Sequence, residues 1–401
     1  MKYLLMLGDG MADEPIETLG NKTPLEAAKT PVLDAYAKQS EIGMVATIPE
    51  GMNPGSDTAN LSVMGYDPKQ YYTGRSPLEA LSIGIPMTMT DVSLRCNLVT
   101  VSDEEGIPYE ERRMIDHSSD EISTEDAAVL LKAVADELQN DTWKFYVGTS
   151  YRHCVIWDHG SVVPLTPPHD ILGKVIGRYL PIEKQLREME EKSYEILSKH
   201  PLNLARKEKG LNPANSCWFW GAGTRPALSS FYDKYHKKGI MISAVDLLKG
   251  IAVGAGMDCA EVPGANGGLE TNYEGKANAA MDALLNGGYD FAYIHLEAPD
   301  EMGHQGSPGR KVTSIERMDQ RILKIVRERF RESGEDYRLL VLPDHPTPVR
   351  LRTHVSDPVP YLLYDSTAPQ DHSWHYNERE AAAGGHLIAR GCDLMGYLFS
   401  K

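Results

Sequence analysis

Three short apolar runs in this chain stop abruptly at acidic or histidine residues. Tyr3–Leu7 ends at Gly8-Asp9, Phe291–Leu296 is soon followed by Asp300, and Arg338–Pro343 runs into Asp344-His345. Apolar runs of this length, closed by polar residues, read as buried strands. Helical spacing over Lys276–Leu285 and Val312–Arg331 lies between them, so strands and helices alternate as in an α/β fold with a mostly parallel sheet. Ligands collect at the carboxyl ends of strands in such sheets, which is where the residues that close these runs stand.

The middle of the chain has another texture. Between about Leu78 and Pro226 come a proline cluster (Pro164, Pro167, Pro168), a charged helical stretch from Ile182 to Lys199, and Trp218 with Trp220. We read residues 78–226 as an inserted α+β domain, and residues 1–77 with 227–401 as the core that carries it. A length of 401 residues agrees with two domains, because single cores stop growing below that size.

Composition narrows the function classes. With 41% hydrophobic and 24% charged residues the chain is an ordinary globular protein. A formal charge of −16 excludes a general nucleic-acid or anionic-membrane partner while leaving room for a few cations inside a cleft. The five cysteines are scattered with no C-x-x-C pair and read as reduced core residues. The first apolar run is too short for a signal segment or a membrane span, so the cytoplasm is expected.

The candidate chemistry sits at the ends of the runs. Asp300 and His304 are four residues apart, share a face if helical, and could share a cation; taken alone, a helix cap and a solvated histidine explain them as well. Asp344-His345 follows a strand, His354 lies in the loop Arg352–Pro360, and Asp9 closes the first strand; singly, each reads as a turn residue. Ser56, after Pro54-Gly55 and before a predicted helix, has the sequence of an N-cap serine, and a helix start is also a place that stabilises phosphate. Together they make one serine, three aspartates and three histidines, each at a strand end, a loop or a helix start. Such a set suits two divalent ions arranged for in-line displacement at phosphorus.

Leu7-Gly-Asp-Gly-Met-Ala-Asp13, Gly74-Arg-Ser-Pro-Leu-Glu-Ala80, Asp300-Glu-Met-Gly-His304 and Asp344-His345 resemble the signature stretches of archaeal-type cofactor-independent phosphoglycerate mutases. The resemblance spans essentially the whole chain and implies an alkaline-phosphatase-like core. It implies one metal held by Asp300, His304 and His354, and another held by Asp9, Asp344, His345 and the Ser56 oxygen. Ser56 would be the nucleophile, and no 2,3-bisphosphoglycerate would be needed. Manganese suits this mixture of imidazole and carboxylate best, with zinc or magnesium as alternatives.

In the same family the inserted domain binds the organic part of a small phosphorylated metabolite. Matching segments single out Arg152, His153, His169 and Lys249 as substrate ligands, while Lys174 and Lys276 read more simply as surface cations. One stretch departs: Asp116-His-Ser-Ser-Asp-Glu121 stands where the family usually shows Ser-Ala-Gly-Arg after an aspartate. There Asp120 or Glu121 could meet an ammonium group. A bacterial branch with segments like Leu342–Pro348 and Leu351–His354 has been proposed to act as homoserine kinase, so mutase and ATP-dependent homoserine kinase are both carried forward. A non-catalytic metal sensor fits less well, since it has no need of an activated serine.

Overall fold

The computed structural model describes residues 1–400, which form two compact units: residues 1–72 with 228–400, and residues 73–227. The first unit is built on an eight-stranded sheet. Its order is Leu387–Ile388, Glu41–Val45, Val359–Asp365, Tyr337–Leu342, Lys2–Gly8, Phe291–Leu296, Gly239–Ile242 and Asp258–Cys259. The four strands Tyr337–Leu342, Lys2–Gly8, Phe291–Leu296 and Gly239–Ile242 run parallel, and Val359–Asp365 is antiparallel to both of its neighbours. This is the mixed, mostly parallel α/β sheet that the alternating runs predict.

The central strands are continuous apolar sequences because helices cover both faces of a parallel sheet. Leu4, Met6, Ile294, Leu339 and Val341 are buried with Tyr273, Ala277 and Met281 of helix Tyr273–Leu285. The predicted helix over 312–331 is one helical run made of Pro308–Met318, a π-helical turn at Asp319–Leu323, and Lys324–Ser333. In the π turn the buried Asp319 accepts hydrogen bonds from the Leu33 and Val32 amides, serving the otherwise unpaired start of helix Pro31–Ala37 from a distant part of the chain.

The second unit is α+β. Strand Val92–Val101 pairs antiparallel with Met114–Asp116, Arg152–Trp157 and Ser216–Thr224, and Trp143–Thr149 extends the sheet. Helices Thr124–Leu138 and Lys184–Leu197 contribute Leu130, Leu131 and Leu186 to its core. Among the described residues no helix is long and apolar enough to cross a membrane.

Candidate active site

Parallel strands deliver their ends to one edge of the sheet. Asp9 leaves strand Lys2–Gly8, Asp344 and His345 leave Tyr337–Leu342, and Asp300 stands in helix Ala298–His304 just after Phe291–Leu296. Gly10 lets these pieces meet. Its φ is +59°, and a Cβ there would lie 2.8 Å from the Asp300 Cα and collide with the Thr347 hydroxyl, so only glycine fits. Its amide donates to Asp344 Oδ1 at 3.0 Å.

Neither local explanation suggested by the sequence for Asp300 and Ser56 holds. Asp300 is the third residue of its helix, not the cap, and its carboxylate lies 3.1 Å from His304 Nε2 and 3.3 Å from His354 Nε2. Helix Ser56–Val63 begins at Ser56 itself, with Gly55 in the cap position, so the serine hydroxyl caps nothing. Ser56 Oγ instead faces His345 Nε2 at 3.1 Å.

The hydrogen-bond network dictates how the imidazoles are protonated. Thr347 Oγ1 donates to Asp300 Oδ1 at 2.5 Å, so at 3.3 Å it must accept from His345 Nδ1. The His345 proton is thereby held on Nδ1, and a lone pair on Nε2 faces Ser56. His304 Nδ1 donates to the Arg352 carbonyl at 2.9 Å, while its Nε2 lies 3.1 Å from Asp300 Oδ2 and 3.0 Å from His354 Nε2. Asp9 Oδ2 accepts from His295 Nε2 at 3.0 Å, and the other His295 nitrogen accepts from the Ser243 hydroxyl at 3.2 Å.

These groups fit metal ions. Asp300, His304 and His354 bring one ligand atom each to within 4.8 Å of one another, and Asp9, Asp300 and His345 do the same. Asp344 lies beside the second group, with Oδ2 3.5 Å from His345 Nε2. The buried Asp9 Oδ1 has no hydrogen-bond partner, which a cation would supply. Burial, together with Asp344, Asp300 and Glu297, pushes the Asp9 carboxyl well above its usual range, as expected of carboxylates crowded without a counterion. Burial also disfavours the Asp300 anion, but the hydrogen bonds to His304 and His354 prevail and hold this carboxyl well below the ordinary range. The bond to Asp300 pushes the His304 imidazole up to about 9, whereas burial lowers His345.

The family model for 2,3-bisphosphoglycerate-independent phosphoglycerate mutase matches residues 37–203. A Methanosarcina barkeri protein named 2,3-bisphosphoglycerate-independent phosphoglycerate mutase is 46% identical, with 99% of each chain covered. One of the same name from Methanothrix thermoacetophila is 44% identical, with all of each chain covered. The chain belongs to the 2,3-bisphosphoglycerate-independent phosphoglycerate mutases. The cofactor-independent phosphoglycerate mutase of Thermoplasma acidophilum has the same fold, at a TM-score of 0.67 and 26% identity, covering 100% of this chain and 99% of that one. A Pyrococcus horikoshii protein superposes with a TM-score of 0.82 at 29% identity, covering 100% and 96%.

The four substrate candidates are divided between the two units. Arg152, His153 and His169 belong to the second unit and Lys249 to the first, where its ammonium group pairs with Glu261 at 3.0 Å. Arg152 is exposed, with its guanidinium 5.4 Å from the centre of the Tyr151 ring. His153 is buried, accepts from the Gly148 amide at 3.0 Å, and is pushed down to about 4 by burial, which makes it a neutral residue of the sheet. His169 packs edge-on against Trp220, with ring centres 5.3 Å apart.

One sequence reading needs correction. Lys276 is not a surface cation: it is 1% exposed, donates to the His295 carbonyl at 3.1 Å, and is pushed down to about 8 by burial. Of the two acidic residues in the departing stretch, both exposed, Asp120 accepts from the Asn212 amide at 2.6 Å and side chain at 3.0 Å. Sequence reasoning also passed over His295, Asn60 and Thr347. For His295 there was a signal, an imidazole inside an otherwise apolar strand; for the other two there was none.

Proposed function

We propose that this chain interconverts 2-phosphoglycerate and 3-phosphoglycerate by passing the phosphoryl group through Ser56. The observation that carries this reading is the Ser56 hydroxyl, uncommitted to its own helix and 3.1 Å from His345 Nε2 in a cluster of buried carboxylates and imidazoles. The substrate class comes from the names of the relatives.

Asp300, His304 and His354 would hold one divalent ion, and Asp9, Asp344 and His345 with the Ser56 oxygen the other. Such ions, when bound, lower the pKa of a hydroxyl and neutralise phosphoryl oxygens, and manganese suits this donor set. Ser56 Oγ forms a bond to phosphorus as the bond to the glycerate oxygen breaks, and the proton lost by the serine returns to that oxygen. Negative charge on the phosphoserine then sits at the positive end of the dipole of helix Ser56–Val63. Attack by the other glycerate hydroxyl, in line, yields the isomer and restores the serine. We assign Arg152 and Lys249 as cations for the anionic groups of the glycerate, His169, whose imidazole burial shifts toward the neutral form, as a hydrogen-bonding group, and His153 to the support of the strand that carries Arg152.

Phosphorus NMR of manganese-loaded protein with 3-phosphoglycerate and no ATP tests the reading, and 2-phosphoglycerate is the expected product. ATP-dependent formation of O-phosphohomoserine from homoserine, with no isomerisation, would overturn it in favour of a kinase.

A further inference from the structure

Asn60 is fully buried one helical turn after Ser56, and each polar atom of its side chain is used. Its Nδ2 donates to the Ser56 carbonyl at 2.8 Å and to Asp344 Oδ2 at 3.0 Å. Its Oδ1 accepts from the Tyr293 hydroxyl at 2.5 Å. The amide has only one workable orientation, because a carbonyl and a carboxylate offer acceptors alone on the side where Nδ2 lies. Tyr293, itself buried, donates to the opposite side and prevents the amide from turning.

We propose that Asn60, locked by Tyr293, is a positioning residue that sets the nucleophile-bearing residue Ser56 against the Asp344 carboxylate. The proposal rests on the phosphotransfer reading above and names groups which that reading does not use. Asp344 Oδ1 accepts from the Gly10 and His345 amides, and Oδ2 accepts from Asn60. A carboxylate has about four lone-pair sites, so these three bonds leave one, on Oδ2, free for a cation. The same amide grips the main chain of Ser56, so the direction of the remaining Asp344 lone pair and the location of the serine are set by one planar group. Groups behind a metal ligand act in this way by fixing its orientation.

The test uses the full chain and three substitutions. Asn60→Asp keeps the shape and the acceptor for Tyr293 but places a carboxylate oxygen against Asp344; Asn60→Ala removes the tie without repulsion; Tyr293→Phe frees the amide to turn. Isothermal titration with manganese alone should show affinity weakened by about 10- to 100-fold in Asn60→Asp, and by less in the other two. In turnover of 3-phosphoglycerate, kcat should fall in the same order while KM stays within about threefold of wild type, since Asn60 is fully buried. Wild-type manganese affinity and kcat in Asn60→Ala and Tyr293→Phe would overturn the proposal, including the case where their metal-free melting temperatures drop, because that pattern marks a core polar residue only. If Asn60→Asp does not fold, these two variants decide the matter. If the wild type shows no isomerisation, the mutase reading fails, and the manganese titration still reports on the tie to Asp344.

Discussion

The Nε2 atoms of His304 and His354 face each other at 3.0 Å with Asp300 beside both. Because His304 uses its Nδ1 proton on the Arg352 carbonyl, Nε2 is the nitrogen left for a cation, which would take the place of the proton that Asp300 holds there. Chelation should therefore abolish activity, and manganese should restore it better than calcium, which prefers all-oxygen sites. His354→Ala should lower the manganese retained per chain, measured by elemental mass spectrometry after dialysis; retention equal to wild type would show that this trio holds no ion.

Ser56→Ala should eliminate turnover by several orders of magnitude and leave folding intact. The hydroxyl caps no helix, so the usual loss of about 0.5–2 kcal/mol on removing a cap is not expected. Steady-state rates and a thermal melt on the same preparation check both halves. Substantial remaining activity would remove the serine from the reaction.

Gly10→Ala should be far more damaging than its size suggests. It forces a left-handed residue to carry a Cβ 2.6 Å from Asp300 Oδ1 and 2.8 Å from the Asp300 Cα. Backbone strain of this kind costs about 1–3 kcal/mol, before any displacement of Asp300. Urea unfolding should show the loss, and manganese affinity should fall with it; an unperturbed variant would mean that the loop can open without cost.

Lys276 gives a pH signature. Burial lowers its folded pKa to about 8 from an ordinary value near 10.5, so between these values the unfolded chain binds more protons than the folded one. Stability then rises with pH in that window, and the cost of the buried ammonium group is fully present below pH 8. Relative to Lys276→Met, the wild type should gain about 2 kcal/mol of stability between pH 7 and pH 9.5. Chemical denaturation of both proteins at both pH values measures this. A constant difference would mean that the lysine titrates normally.

The primary sequence by itself determined the strands that form the central sheet, because Tyr3–Leu7, Phe291–Leu296 and Arg338–Pro343 are covered on both faces and stay apolar without interruption. It also determined the pairing of Asp300 with His304, since a spacing of four puts both on one helix face wherever that helix lies. The rest came from the tertiary structure. The sequence around Ser56 reads equally as a cap, and only the approach of His345, 289 residues away, distinguishes the two. Parallel pairing sets His295 opposite Leu7, next to the end of the strand that Asp9 follows, a register no local pattern encodes. Asn60 and Tyr293 are 233 residues apart and meet only after the sheet and its helices have packed. Lys276 looks like any helical lysine until burial strips its water away. Periodicity reports which face of an element is covered; the polar contacts that orient ligands depend on which distant element does the covering.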